Sequence, residues 1–412
     1  MKRIPFYLLL LCGAPVAAQT SLDDYRAEVA AYSRQLEIAA ARSDEAAETM
    51  ARARTGFLPR LSLEGSFEAT VRRIDDRERW TFDLLPRLVQ TLYGGGAVRA
   101  AYRDASLGYD IALCNEEFTR YEVRYAADYA YWNLSATRLY AVSMREYVAL
   151  IRSLKEVVDR RFAEGYIAKG DVLMIEARLS EATYELFGAE QRAVVALHDF
   201  NVLRGADPES EVRQGEGIRD TLPMPARIAY GALPERRSDY AAALLDAERA
   251  EVGVRAARAA FDPQVNVGIG GMWRPYTPNR TGKTYVDGMA FVGLTVPIFH
   301  WGERRRAVGA ARAVQRQREA AAEQVRDGIV REETNGWTAL VQTRAQIEAS
   351  ERNLRIASEN LSLSTYSYGE GLTTILDVLQ AQLSWIQLYT NAIRARFEYA
   401  VAVSDYARIA EE

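Results

Sequence analysis

Hydrophobic and polar positions recur along this chain with two different periods. Leu61, Leu63, Phe67, Ala69 and Val71 alternate with Ser62, Glu64, Ser66, Glu68, Thr70 and Arg72. Trp80, Phe82 and Leu84 alternate with Thr81 and Asp83, and Val265, Val267 and Ile269 with Gln264, Asn266 and Gly268. Period two gives a strand one apolar and one polar face. A fourth run, Tyr285–Phe299, is more uniformly apolar, so its facing stays open. The polar tips Asp75–Glu78 and Pro275–Thr284 join the runs into two hairpins, 60–93 and 264–299.

Elsewhere the step is three or four residues. Val123, Ala126, Ala127, Ala130, Leu134 and Ala141 recur at that spacing, which suits coiled-coil packing through small side chains. Proline breaks helix interiors, and none occurs between Pro86 and Pro208 or after Pro297. The pattern predicts helices at 22–55, 97–163, 171–204, 237–260, 303–366 and 373–409. The two longest would each reach roughly 100 Å at 1.5 Å per residue. Helices 22–55 and 171–204 together match 97–163 in length, and 237–260 with 373–409 come close to 303–366. Two short helices could therefore line one long one, twice over. Residues 206–236 hold Pro208, Pro223, Pro225 and Pro234 and read as an irregular linker.

Composition narrows the function. The chain has 412 residues, 49% hydrophobic, which excludes a disordered protein. Lys and Arg number 52 against 56 Asp and Glu, so no nucleic-acid partner is demanded, and the run Arg304–Arg306 reads as a solvated face or a lipid-headgroup contact. Two cysteines and two distant histidines, His198 and His300, make a disulfide framework, a zinc site or a histidine triad improbable. No metal and no cofactor are expected. No apolar run is long enough for a transmembrane helix. The N-terminus carries Lys2 and Arg3, an apolar stretch Ile4–Cys12, and Val16-Ala17-Ala18 before Gln19. That pattern reads as a cleaved signal peptide over 1–18. Cys12 offers a lipoprotein alternative, although Leu11 before it fits a lipobox poorly. Cys114 would then be the remaining cysteine, packed on a helix.

Export changes the reading of the strands. Alternating segments about ten residues long suit a membrane barrel, and Trp80, Tyr93, Trp273, Tyr276, Phe299 and Trp301 sit near their ends, as interfacial aromatics do. The alternative is a soluble hairpin pair with one face on a core. The halves also repeat. Phe57-Leu58-Pro59 matches Phe261-Asp262-Pro263, Trp132 matches Trp337, and Gly165 with Asp171-Val172-Leu173 matches Gly371 with Asp377-Val378-Leu379, at nearly constant offset. The repeats span 19–205 and 237–412. Four strands cannot close a barrel, since about eight are needed. Three chains would supply twelve in a cyclic trimer.

With these features in place, the sequence resembles the TolC-like outer membrane efflux protein family over about residues 22–410. The carrying residues are the hairpin entries Gly56-Phe57-Leu58-Pro59 and Ala260-Phe261-Asp262-Pro263. The exits are Thr91-Leu92-Tyr93-Gly94-Gly95-Gly96 and Val296-Pro297-Ile298-Phe299-His300-Trp301-Gly302. The second helix turn reads Tyr368-Gly369-Glu370-Gly371-Leu372, followed by Asp377-Val378-Leu379-Gln380-Ala381-Gln382.

The resemblance implies a mixed α and β membrane protein: a transmembrane β-barrel completed by trimerisation and continued by a long α-helical coiled-coil barrel. It implies an outer membrane channel of a Gram-negative bacterium that reaches into the periplasm, set in outer membrane lipid. That channel would meet a periplasmic adaptor protein and, through it, an inner-membrane pump. Barrel entries and exits fall at Pro59, Gly94, Gly95, Pro263, Pro297 and Gly302. The turns 163–170 and 367–374 would present Gly165, Tyr166, Ile167, Gly371 and Leu372 to the adaptor. Carried over by position, Asp171 and Tyr368 fall where a closing hydrogen bond would be, and Asp377 where an acidic ring would be. Thr373 stands where a gate arginine can occur and Gln380 where a second acid can. Helix capping explains Asp171 and Asp377 equally well. An enzyme is disfavoured: Gly268-Ile269-Gly270-Gly271 lacks dinucleotide-loop spacing and no helix follows it. The alternative is a periplasmic structural or adaptor-type coiled coil without a barrel. The cargo, whether drug, metal or polypeptide, is not written in the sequence.

Overall fold

A computed structural model describes residues 19–69, 71, 80–220, 222–274 and 285–412. The signal segment with Cys12, the hairpin tips Asp75–Glu78 and Pro275–Thr284, and Tyr276 lie outside the described residues.

The long proline-free stretches are continuous helices, α3 over Ala97–Ala163 and α6 over Glu303–Gly369, each of 67 residues. Shorter partners follow each of them, α4 over Lys169–Leu203 and α7 over Ile375–Ala410. Helix α5 runs over Ser238–Ala259. The single helix expected at 22–55 is two, α1 over Leu22–Tyr32 and α2 over Arg34–Arg54. Ser33 divides them. Its φ of −58° and ψ of 114° leave the helical region, and its Oγ accepts from the Leu36 amide at 3.4 Å. A serine that bonds its own backbone stops one helix and starts the next. Of the small-residue series on α3, Val123, Ala127, Ala130, Leu134 and Ala141 are buried. Ala126 is exposed because it lies about 60° round the helix from that stripe.

Strands β1 (Arg60–Ala69), β2 (Trp80–Gly94), β3 (Gln264–Arg274) and β4 (Tyr285–Thr295) form one antiparallel sheet in the order β1-β2-β3-β4. The register decides the facing. Leu61 pairs with Leu88, Leu63 with Pro86 and Phe67 with Phe82. Leu88 pairs with Ile269, Ile269 with Ala290, Val267 with Val292 and Trp273 with Val286. Directly paired residues share a face, so one apolar face runs across all four strands. The opposite face carries Ser62, Glu64, Asp83, Arg87, Asn266 and Asp287. The facing of the fourth run is thereby settled: Val286, Ala290, Val292 and Leu294 join the apolar face, while Asp287, Met289 and Phe291 take the other.

The chain forms two compact units, each drawn from both sequence halves. One comprises 38–118 and 234–328 and holds the sheet. Its helices pack through Ala100, Leu107 and Val252 and are tied by Arg249 to Asp104 at 2.8 and 3.0 Å. The other comprises the chain up to Glu37, 119–233 and 329–412. Its core stacks Tyr25 on Phe200 beside Tyr131 and Trp132, and continues between α3, α4 and α7 through Ile151, Val158, Ile175, Val378 and Ile386. The proline-rich linker is strapped onto this unit. The Tyr399 hydroxyl donates to the Leu222 carbonyl, the Tyr406 hydroxyl accepts from the Ile228 amide, and Arg227 grips Glu333, which is fully buried. The paired guanidinium offsets the desolvation of a buried carboxylate.

Candidate functional site

Two places expose chemistry that a folded core does not explain: the sheet and the helix turns. On the sheet, Leu61, Leu63, Phe67, Ile269, Val286, Val292 and Leu294 all stand exposed on the apolar face. Contiguous apolar patches of this extent mark a membrane or a partner surface. Eleven residues in β3 rise roughly 36 Å, or about 28 Å along the axis of a barrel tilted by about 40°. That height matches a hydrocarbon layer. Among the described residues, strands β1 and β4 each have one unpaired edge. Tyr93 sits at a bulge near one end of β2, Trp273 near the far end of β3, and both are exposed. Trp301 is 91% exposed beside Phe299 at 4.8 Å. The side chain of Trp80 lies outside the described residues.

Entries and exits of the sheet are duplicated in geometry. Pro59 and Pro263 immediately precede β1 and β3. The exit after β2 turns into α3 through Gly95 and Gly96, with φ of 61° and 88°. The exit after β4 passes Pro297 and turns into α6 through Trp301 and Gly302, with φ of 49° and 82°. Two successive left-handed residues open each long helix. A bulky side chain rarely adopts that region. Gly94 closes β2 itself.

The turns are duplicated as well. Tyr166 N–H donates to the Arg161 carbonyl at 2.9 Å and Gly165 N–H to Phe162 at 3.0 Å. Leu372 N–H donates to Ser367 at 2.8 Å and Gly371 N–H to Tyr368 at 3.1 Å. Both are Schellman ends, which need a left-handed residue, and Gly165 and Gly371 have φ of 80° and 76°. The motif pushes Tyr166 and Leu372 outward, each 77% exposed, while Ile167 packs inward.

The helices that follow start differently. Thr374 caps α7: its hydroxyl accepts from the Asp377 amide, and its own amide donates back to Asp377 Oδ2 at 3.0 Å. Thr373 adds a hydroxyl donor to that carboxylate at 2.6 Å. The hydroxyl of Thr373, then the hydroxyl and amide of Thr374, hold the Asp377 carboxyl below the usual carboxylate range. Helix α4 is capped by Ala168, which has no side-chain acceptor. Asp171 sits in its first turn, and its carboxylate makes no hydrogen bond or ion pair among the described residues. Of the two capping candidates, one caps and one is left available.

A cavity of about 640 Å³ opens between the turns. It gathers Asp171, Tyr368, Thr373, Gly371, Tyr166 and Ile167, together with Arg161 and Glu164. Gly165, Leu372, Asp377 and the exposed Gln380 do not line it. Tyr368 is 4% exposed, and its hydroxyl finds no hydrogen-bond partner among the described residues. Burial pushes that hydroxyl upward in pKa, against the Arg161 cation beside it. The closing bond expected between Asp171 and Tyr368 is not made within the chain. Arg161 lies over the Tyr368 ring instead, 4.6 Å from its centroid. Sequence reasoning missed Arg161, which no motif marks. It also missed Thr374, although Thr374 and Asp377 stand at capping-box spacing.

No helix among the described residues is long and apolar enough to cross a membrane. Protein CyaE of Bordetella pertussis is 25% identical over 328 residues, 75% of this chain and 67% of that one. Nodulation protein T of Rhizobium leguminosarum bv. trifolii is 24% identical over 394 residues, 87% of this chain and 78% of that one. The fold is shared with CusC, whose crystal structures describe transmembrane channel formation, at TM-score 0.84 and 16% identity over 95% of this chain and 92% of that one. It is shared with the outer membrane protein VceC of Vibrio cholerae at TM-score 0.81 and 20% identity, over 94% and 96%. The family profile described as outer membrane efflux protein matches residues 26–205 and 229–405, breaking at the proline-rich linker. With the profile matched in both halves of the repeat, the chain belongs to the outer membrane efflux protein family.

Proposed function

We propose that three copies of this chain form one outer membrane channel that carries substrates from a periplasmic adaptor and an inner-membrane pump to the cell exterior. The observation that carries this reading is the sheet: an apolar face across four strands, with an open edge on either side. Unpaired backbone edges are not tolerated in lipid, and three such sheets joined edge to edge remove them. The apolar face then meets lipid, and Glu64, Asp83, Arg87 and Asp287 line water. Residues 1–18 act as a cleaved export signal.

The turns form the periplasmic entrance. Tyr166 and Leu372 project from Gly165 and Gly371 and, with Ile167 behind, offer the adaptor its apolar contact. Asp171 and Tyr368 line the gate cavity. Asp377 supplies negative charge at the entrance, with Thr373 spent on holding it and Gln380 adding none. No cofactor or metal enters this function.

The test is fractionation followed by mass. Outer membranes are isolated, the protein is extracted in mild detergent, and its mass is read by light scattering. Three chain masses in the outer membrane, with conductance across a planar bilayer, are the expected result. A soluble periplasmic monomer or dimer would overturn the barrel, and the adaptor-type coiled coil would take its place.

A further inference from the structure

The last turn of α3 carries a residue that joins the two entrance turns. Arg161 Nη2 donates to the Gly369 carbonyl at 2.8 Å while its guanidinium covers the Tyr368 ring. Gly369 ends α6, where carbonyls have no helical donor left, so this bond satisfies an orphan acceptor. Cation–π contact and hydrogen bond together fix one guanidinium on the end of another helix. Arg161 thus ties the last turn of α3 to the last turn of α6. The groups that might have served instead are placed otherwise. Asp377 is held in its own cap, and among the described residues the Tyr368 hydroxyl has no hydrogen-bond acceptor or donor in geometry and the Asp171 carboxylate makes no hydrogen bond or ion pair.

We propose that Arg161 is the latch that holds the two entrance turns of one chain together and positions Tyr368. This rests on the channel reading above. The latch needs a planar cation. A guanidinium stacks on a ring and still directs an N–H at a carbonyl, whereas an ammonium keeps only the charge. The contact with Tyr368 is carried by its ring, 4.6 Å from the guanidinium.

The test compares wild type with Arg161→Ala, Arg161→Lys and Tyr368→Phe, purified as the full chain in detergent. Spin labels at Glu164→Cys and Glu370→Cys, in a Cys114→Ser background, report the distance between the turns, and planar-bilayer recording reports conductance. Arg161→Ala should broaden and lengthen the distance distribution and raise the conductance severalfold. Arg161→Lys should fall between, and Tyr368→Phe, which keeps the ring, should leave the label distance as in wild type. A distance distribution unchanged in Arg161→Ala overturns the latch, whatever the conductance. So does a Tyr368→Phe variant that opens as far as Arg161→Ala, because the hydroxyl would then be the holding group. Failure of every protein to insert into a bilayer overturns the channel reading, and the label distances still decide the latch.

Discussion

Asp377 acts first on its own helix. Its carboxylate accepts from Thr373 and Thr374 at the N-terminus of α7, where the helix dipole also favours negative charge. Its depressed pKa fixes the sign of the pH dependence. The cap is present above the ordinary carboxylate value and is lost as pH falls through the depressed one. Amide exchange at residues 375–378 should therefore stay slow at mildly acidic pH and accelerate only below the ordinary carboxylate range. Thr374→Ala should accelerate it at neutral pH, at a cost of about 1 kcal/mol. Unchanged exchange in Thr374→Ala would show that packing alone holds this end. A second residue matters for stability. Asp128 is 2% exposed and receives both Nε and Nη2 of Arg26, at 2.6 and 2.7 Å. Arg26→Ala strands that charge, and thermal or denaturant unfolding should register a loss of about 3–5 kcal/mol. A loss below about 1 kcal/mol would mean that water reaches Asp128.

Elements carry the membrane argument. The apolar face exists only because four separate alternations come into register. Val267 lies near its middle, paired with Gln90 on one side and Val292 on the other. Val267→Arg places a charge where hydrocarbon would be and should cost about 2–4 kcal/mol of barrel stability. The same change at Asn266, on the opposite face, should leave heat resistance of the detergent-extracted protein nearly unaltered. Equal effects at both positions would remove the distinction between a lipid face and a water face. The long helices were legible because residues 97–163 and 303–369 contain no proline and are rich in strong helix formers. Ser33 was not recognised as a break, since nothing in a propensity window separates a serine inside a helix from one that caps the next. The fourth strand was illegible for another reason. Met289 and Phe291 are apolar on the polar face, so alternation fails there, and only pairing with the glycines Gly270 and Gly268 shows which way they point.

At the scale of the whole molecule, two surfaces stay uncovered in the single chain. Among the described residues the sheet has two open edges, and the turns display Tyr166 and Leu372 to solvent. If the turns meet an adaptor, Tyr166→Asp with Leu372→Asp should abolish cross-linking to periplasmic adaptor protein in cells. Outer membrane insertion and oligomeric mass should persist, because those residues lie on surface turns and support no core. Retained cross-linking would move the adaptor contact away from the turn tips.

The sequence by itself determined the periods, and with them the helices, the hairpins and the duplication. These are local quantities, set by side-chain spacing and by where proline and glycine permit a break. It also marked Gly165 and Gly371 as turns, because their spacing to Asp171 and Asp377 repeats. Tertiary structure decided which groups meet. Asp171 and Asp377 occupy equivalent positions, yet one follows Ala168 and the other Thr374, and only the second closes a capping box. Nothing about Arg161 in sequence separates it from the chain's many other arginines. It becomes a contact between the two turns because the ends of two helices, some 208 residues apart along the chain, are packed side by side.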